Sequence, residues 1–156
     1  MQRTAMSASL PWEGNIFIIM TDITIEQIRA EVTWRLRREV LYPVKPLHAM
    51  EMEQDDHGIH FAAFTETDLV AVVSVFQNGT DFQFRKFAVA PTVQGKGIGT
   101  MLLHYIIDFA RNEGGKRIWC NARDTAVGFY LRDGFKSTGE KFTRSGVNFE
   151  IMEKFL

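Results

Sequence analysis

The chain has 156 residues, of which 46% are hydrophobic and 24% charged, enough apolar length for one full core and a single domain over 1–156. Its formal net charge of -1 gives no general attraction to polyanions, so neither nucleic acid nor a membrane surface is expected as a partner. One cysteine, Cys120, excludes an internal disulfide framework and points to a reducing compartment. Apolar runs all fall short of the roughly 18 residues of a membrane span, and Pro11, Glu13 and Gly14 break up the amino-terminal apolar residues. A cytoplasmic protein with a loose segment over 1–14 is the expectation.

Asn15 to Met20 then reads as a short strand, followed by Thr21, Asp22 and Thr24 as N-cap oxygens. Ile25, Ile28, Val32, Leu36 and Val40 recur at helical spacing and predict an amphipathic helix ending near Pro43. Residues 43 to 58 have no fixed period and read as an irregular loop able to edge a binding site. Ile59 to Thr65, Leu69 to Gln77 and Asp81 to Val89 follow as an antiparallel meander, with Asn78-Gly79 as the second turn.

In the third of these strands Phe82 and Phe84 alternate, but Phe87 and Val89 resume one residue out of phase. An extra residue around Arg85 and Lys86, a β-bulge, accounts for the shift; a strand buried on both faces is the alternative. Ile98, Met101, Leu102, Tyr105, Ile106 and Phe109 make one helical stripe that stops at Gly114-Gly115. A strand over 116–121, a short helix over 124–132, and strands over 135–142 and 147–155 complete the order β-α-β-β-β-α-β-α-β-β. That order predicts an α/β (α+β) fold: a mixed, mostly antiparallel sheet of six to seven strands with helices on both faces.

The second helix is opened by Gly95, Gly97 and Gly99, poor helix residues at a point where unpaired backbone N–H groups and the helix dipole favour an anion. Side chains would obstruct contact between that backbone and a ligand. Neither the dinucleotide fingerprint, which needs a third glycine where Thr100 or Leu102 stands, nor the triphosphate loop fits the spacing. The spacing that does fit is Gln94-x-x-Gly97-x-Gly99, directly after Val89-Ala90-Pro91.

With this motif, and with Ala126, Tyr130, Gly134 and Phe135 in NARDTAVGFYLRDGF, the chain resembles the GCN5-related N-acetyltransferase (GNAT) superfamily. The resemblance implies an acetyl-coenzyme A cosubstrate whose pyrophosphate lies on Gln94, Gly95, Lys96, Gly97, Ile98, Gly99 and Thr100. It also implies a bulge that splays the strand ending at Val89 from the strand at 116–121, opening a slot for the pantetheine arm along Phe87, Ala88 and Val89. Asn121, Ala126 and Phe129 would border that slot. Val89 becomes the expected backbone donor to the thioester carbonyl, and Tyr130 the acid that protonates the departing sulfur.

Many relatives carry a carboxylate base on the strand before the bulge, where this chain has Gln83, Arg85 and Lys86. His60, or Asp55, Asp56 and His57, are the candidates left for a base, and no metal site is suggested. The expected reaction is acetyl transfer to a primary amine of a small molecule or peptide; Arg85 and Lys86, if they face it, would favour an acceptor with a carboxylate or phosphate. A noncatalytic acyl-coenzyme A sensor is the alternative, and pairing through the carboxy-terminal hairpin would make a homodimer.

Overall fold

The computed structural model describes residues 4–6 and 22–156. Strand β1 (Thr4–Met6) pairs antiparallel with β2 (Ile23–Ile28), Thr4 opposite Ile25. The rest of the segment expected to be loose, and the strand expected at 15–20, lie outside the described residues. Helix α1 spans Ala30–Leu41, so the helix expected from Ile25 is corrected: Ile23–Ile28 is a strand.

The physical reason lies in two coincident periods. Ile25 and Ile28 fit a helix, but Ile23, Thr24 and Ile25 are β-branched and alternate, and Ile23 and Ile25 are buried on one sheet face. The face that α1 buries is consequently Thr33, Leu36 and Arg37, while Val32, expected inside, is 38% exposed. Arg29, with no side-chain cap, stands at the N-cap instead of the expected oxygens.

Strands β3 (Ile59–Phe64), β4 (Leu69–Asn78) and β5 (Asp81–Val89) form the expected meander. Helix α2 (Ile98–Asn112) leads to β6 (Arg117–Arg123), helix α3 (Val127–Arg132), β7 (Lys136–Arg144) and β8 (Val147–Phe155). Among the described residues the sheet has eight strands in the order β1-β2-β3-β4-β5-β6-β8-β7, parallel only between β5 and β6. It is the mixed, mostly antiparallel sheet the sequence predicts, with the three-residue β1 added at one edge.

Side-chain alternation divides the core between the two faces. Phe61, Val73, Val75, Phe82 and Phe84 pack with Leu102, Leu103 and Ile106 of α2 and with Tyr130 of α3. Ala62, Val72 and Ala88 lie on the other face against Leu36 of α1. Helices therefore cover both faces, and a ligand passing between two strands would meet both.

The turn after α2 is set by close packing. A Cβ on Gly115 would stand 2.7 Å from the Ala110 carbonyl oxygen, which accepts the Gly115 N–H, and 2.8 Å from the Phe82 ring. Backbone cannot yield as a flexible side chain does. Gly115→Ala is therefore expected to lower stability by about 1–3 kcal/mol in urea unfolding; an unchanged midpoint would show that the turn relaxes freely.

Candidate active site

Arg85 stands opposite Ser74 and Ala88 opposite Val72, so Lys86 and Phe87 together face Val73 alone. This is a bulge at the position the phase shift indicates, with Lys86 in the left-handed region at φ 55. The extra residue returns Phe87 and Val89 to the face that Phe82 and Phe84 occupy, which is the α2 core. It also turns the strand away from its neighbour.

The pairing of β5 with β6 covers only Asp81 with Arg117, Phe82 with Ile118 and Gln83 with Trp119. Beyond Gln83 the two strands part, and a cavity of about 780 Å³ opens between them, lined by Phe84 to Phe87 on one wall and Cys120 to Arg123 on the other. Ala90 donates its N–H to the Val70 carbonyl at 2.8 Å, which places Ala90 at a bonded position of the β4–β5 ladder. By the alternation of an antiparallel ladder, Val89 directs its N–H and carbonyl to the opposite edge, toward the cavity. Its carbonyl there accepts the Gln94 side-chain amide at 2.9 Å, so Gln94 ties the loop to the strand end.

Gly95 (φ 78) and Gly97 (φ 84) are both left-handed, and a Cβ at either would meet nothing within 4 Å. Their neighbours do not demand glycine; the backbone conformation does, and it leaves the space above the loop open. Gly99 has a different task, because its Cβ would stand 3.3 Å from Val89 and 3.5 Å from Phe129. Helix α2 begins at Ile98 with no side-chain cap, and the first return bond runs from Met101 to the Gly97 carbonyl at 3.0 Å. The N–H groups of Ile98, Gly99 and Thr100 are thus presented without an intrahelical acceptor at the positive end of the helix.

Tyr130, on α3, lines the cavity and is 6% exposed. Burial first, then Cys120, pushes its phenol well above its ordinary 10.0. Burial pushes the Cys120 thiol up as well. Both groups are neutral at pH 7, so the phenol holds its proton. Cys120 is buried in the core as expected and also reaches the cavity.

Phe87, Val89, Gln94, Gly95, Gly97, Gly99, Thr100, Asn121, Ala126, Phe129 and Tyr130 line one cavity together. Ala88, Lys96, Ile98 and His60 are not among the lining residues. Ala88 points its side chain into the α1 core, Ile98 into the α2 core, and Lys96 into solvent. For Ile98 and Lys96 the backbone remains at the loop.

His60, a candidate base, lies away from the cavity. His60 is 4% exposed on β3, with β4 and β5 between it and the slot, and both ring nitrogens are engaged: Nδ1 with Ser74 Oγ at 2.7 Å and Nε2 with the Asp55 carbonyl at 2.9 Å. Ser74 in turn accepts from Arg37 Nη2 at 2.8 Å, and Arg37 grips both carboxylate oxygens of Asp55 at 2.9 and 3.0 Å. Asp55 is 5% exposed. His60 and Asp55 therefore serve to fasten α1 and the loop after it onto the sheet.

Sequence reasoning passed over Tyr42, Phe142, Arg144 and Phe149, which line the cavity from α1's end and from the β7–β8 hairpin. Only Tyr42, following the helix at a proline, carried any local signal. Among the described residues there is no cluster of His, Cys, Asp and Glu able to hold a metal, and no helix long and apolar enough to cross a membrane.

The family profile described as Acetyltransferase (GNAT) domain matches residues 21–156. The uncharacterized N-acetyltransferase YitI of Bacillus subtilis (strain 168) is 23% identical over 144 residues, covering 86% of this chain and 97% of that protein. Among solved structures, the IAA acetyltransferase from Bacillus cereus ATCC 14579 superposes with a TM-score of 0.70 at 20% identity, over 86% of this chain and 99% of that one. A GNAT family acetyltransferase from Elizabethkingia anophelis with acetyl-CoA bound gives 0.69 at 20% identity, over 86% and 98%. The chain belongs to the GNAT acetyltransferase family and is an acyl-CoA-dependent N-acetyltransferase.

Proposed function

We propose that this chain moves an acetyl group from acetyl-CoA directly to a primary amine of a small molecule or peptide, with Tyr130 as general acid. The observation that carries the reading is the continuity of the slot between β5 and β6 with the unsatisfied start of α2. The open space above Gly95 and Gly97 fits a pyrophosphate against the backbone. When bound, acetyl-CoA supplies an acetyl group activated as a thioester.

In this reading the backbone of Gly95, Lys96, Gly97, Ile98, Gly99 and Thr100 holds the phosphates. The free edge of β5 at Phe87 and Val89, with Asn121 across the slot, takes the amides of the arm, and Ala126 and Phe129 flank it. The Val89 N–H points into the slot and polarises the acetyl carbonyl. As the new C–N bond forms and the C–S bond breaks, the Tyr130 hydroxyl gives its proton to the sulfur, and the proton that the acylated nitrogen sheds passes to solvent, from which the phenol is restored.

Tyr130→Phe tests this role, because it removes the proton and little volume. The expected result is a fall in kcat of about 30- to 100-fold, with little change in acetyl-CoA affinity, measured by thiol release. Since the phenol lies above 10.0, no loss of acid function should appear in wild-type kcat below about pH 10. A kcat within about twofold of wild type would remove Tyr130 from the mechanism.

One observation favours the sensor reading: among the described residues, no Asp, Glu or His lines the cavity. Tight coenzyme A binding with no thiol release for any amine would decide for it.

A further inference from the structure

Resting on the acetyltransferase reading of this cavity, we propose that the acceptor amine carries a carboxylate or phosphate, held between Lys86 and Arg123 beside the Tyr42 hydroxyl. The two ends of the cavity lie on opposite faces of the sheet. The glycine loop and Tyr130 belong to the α2 face, whereas Arg85 alternates with Phe84 onto the α1 face, where Tyr42 ends α1. Arg123 reaches the same place, donating to the Leu41 carbonyl at 3.3 Å.

There the cations gather around one ring. Lys86 Nζ donates to the Tyr42 hydroxyl at 2.5 Å and stands 4.5 Å from the ring centroid; the Arg123 guanidinium stands 5.6 Å from it. Both residues are half-buried, and neither has a carboxylate partner among the described residues. A cation partly removed from water without a counterion is costly, and a ligand anion offsets that cost.

The charge is a property of this site and not of the protein. Arg85, Lys86, Arg123, Arg132 and Arg144 line the cavity with no acidic side chain among the described residues, although the whole chain is at -1. Of these, Arg132 sits on α3, whose Phe129 abuts Gly99, so it belongs to the loop side. Burial raises the Tyr42 phenol, yet the hydrogen bond and charge of Lys86, with Arg123, bring it below 10.0. A positive field of this kind also disfavours an ammonium, so an acceptor anchored by its anion would enter as the free base, its proton already lost to water. That relieves the site of the carboxylate base it lacks.

The test compares the common amino acids and aminoalkyl phosphates with their amide and alcohol counterparts, by thiol release from acetyl-CoA, alongside calorimetric binding of acetyl-CoA and of the acceptors. Anionic acceptors are expected to show KM about tenfold or more below the neutral counterparts, and Lys86→Met and Arg123→Gln each to raise that KM about tenfold while acetyl-CoA still binds as in wild type. Lys86→Glu should reverse the preference toward neutral or cationic amines. Better turnover by whichever anion, carboxylate or phosphate, identifies the source.

Equal KM for anionic and neutral counterparts would overturn the proposal, as would variants that weaken acetyl-CoA instead of the acceptor. If no amine is turned over but anionic acceptors still bind and Lys86→Met weakens them, the anion site stands and the transferase reading falls.

Discussion

Arg37→Met is expected to cost about 3–5 kcal/mol of stability, measured by urea unfolding at pH 7. Arg37 is 1% exposed and its guanidinium meets both Asp55 oxygens, the Met50 carbonyl and Ser74 Oγ. Methionine keeps the packing volume but leaves a buried carboxylate with only the Met52 N–H as a partner, at 2.9 Å. Replacing both groups, as Arg37→Met with Asp55→Leu, should recover most of the loss, because the cost is that of an unpaired charge.

The pH dependence follows from Asp55. Burial raises its carboxyl, but the Arg37 and Met52 hydrogen bonds and the Arg37 charge hold it below 3.8 in the fold. A depressed folded value means that this contribution is fully present above about 3.8 and is lost as pH falls through the folded value. The gap between wild type and Arg37→Met should therefore be widest near neutrality and shrink below pH 4. A gap under about 1 kcal/mol at pH 7 would show that water enters and pays the solvation.

Gly97→Val is expected to weaken acetyl-CoA binding by about tenfold or more, the loss of one to two charge-assisted backbone contacts at about 1.5–3 kcal/mol each. A Cβ at this position meets nothing within 4 Å beyond its chain neighbours, so the added bulk is felt in the space above the loop. Valine at φ 84 adds local strain of about 1–2 kcal/mol, which leaves the fold standing and is visible separately in the unfolding midpoint. Unchanged affinity would remove the loop from the binding site.

Much of the fold was legible because its elements carry one dominant period. The stripe from Ile98 to Phe109 and the strand at Val147–Phe155 have no competing pattern, and both form as read. The bulge was legible for the same reason, since the phase slip between Phe84 and Phe87 records an inserted residue. ITIEQI was misread because Ile25 and Ile28 satisfy a helix and a strand equally, and only pairing with β3 decides.

The candidate site was legible where a backbone conformation left a mark in the residue type, as at Gly95 and Gly97. It was not legible where long-range contacts make it. Nothing near Tyr42 in the chain shows that Lys86 and Arg123 will meet its ring, and nothing near His60 shows that Arg37, Asp55 and Ser74 will bury it. A histidine or arginine in isolation carries no record of which side of a sheet its partners approach.

The most direct measurement is a crystal structure of the protein with coenzyme A. The pyrophosphate should lie on the N–H groups of Gly97 to Thr100, with the arm between β5 and β6 and its thiol next to the Tyr130 hydroxyl. Coenzyme A bound outside that slot, or a slot that stays empty at saturating ligand, would contradict the account.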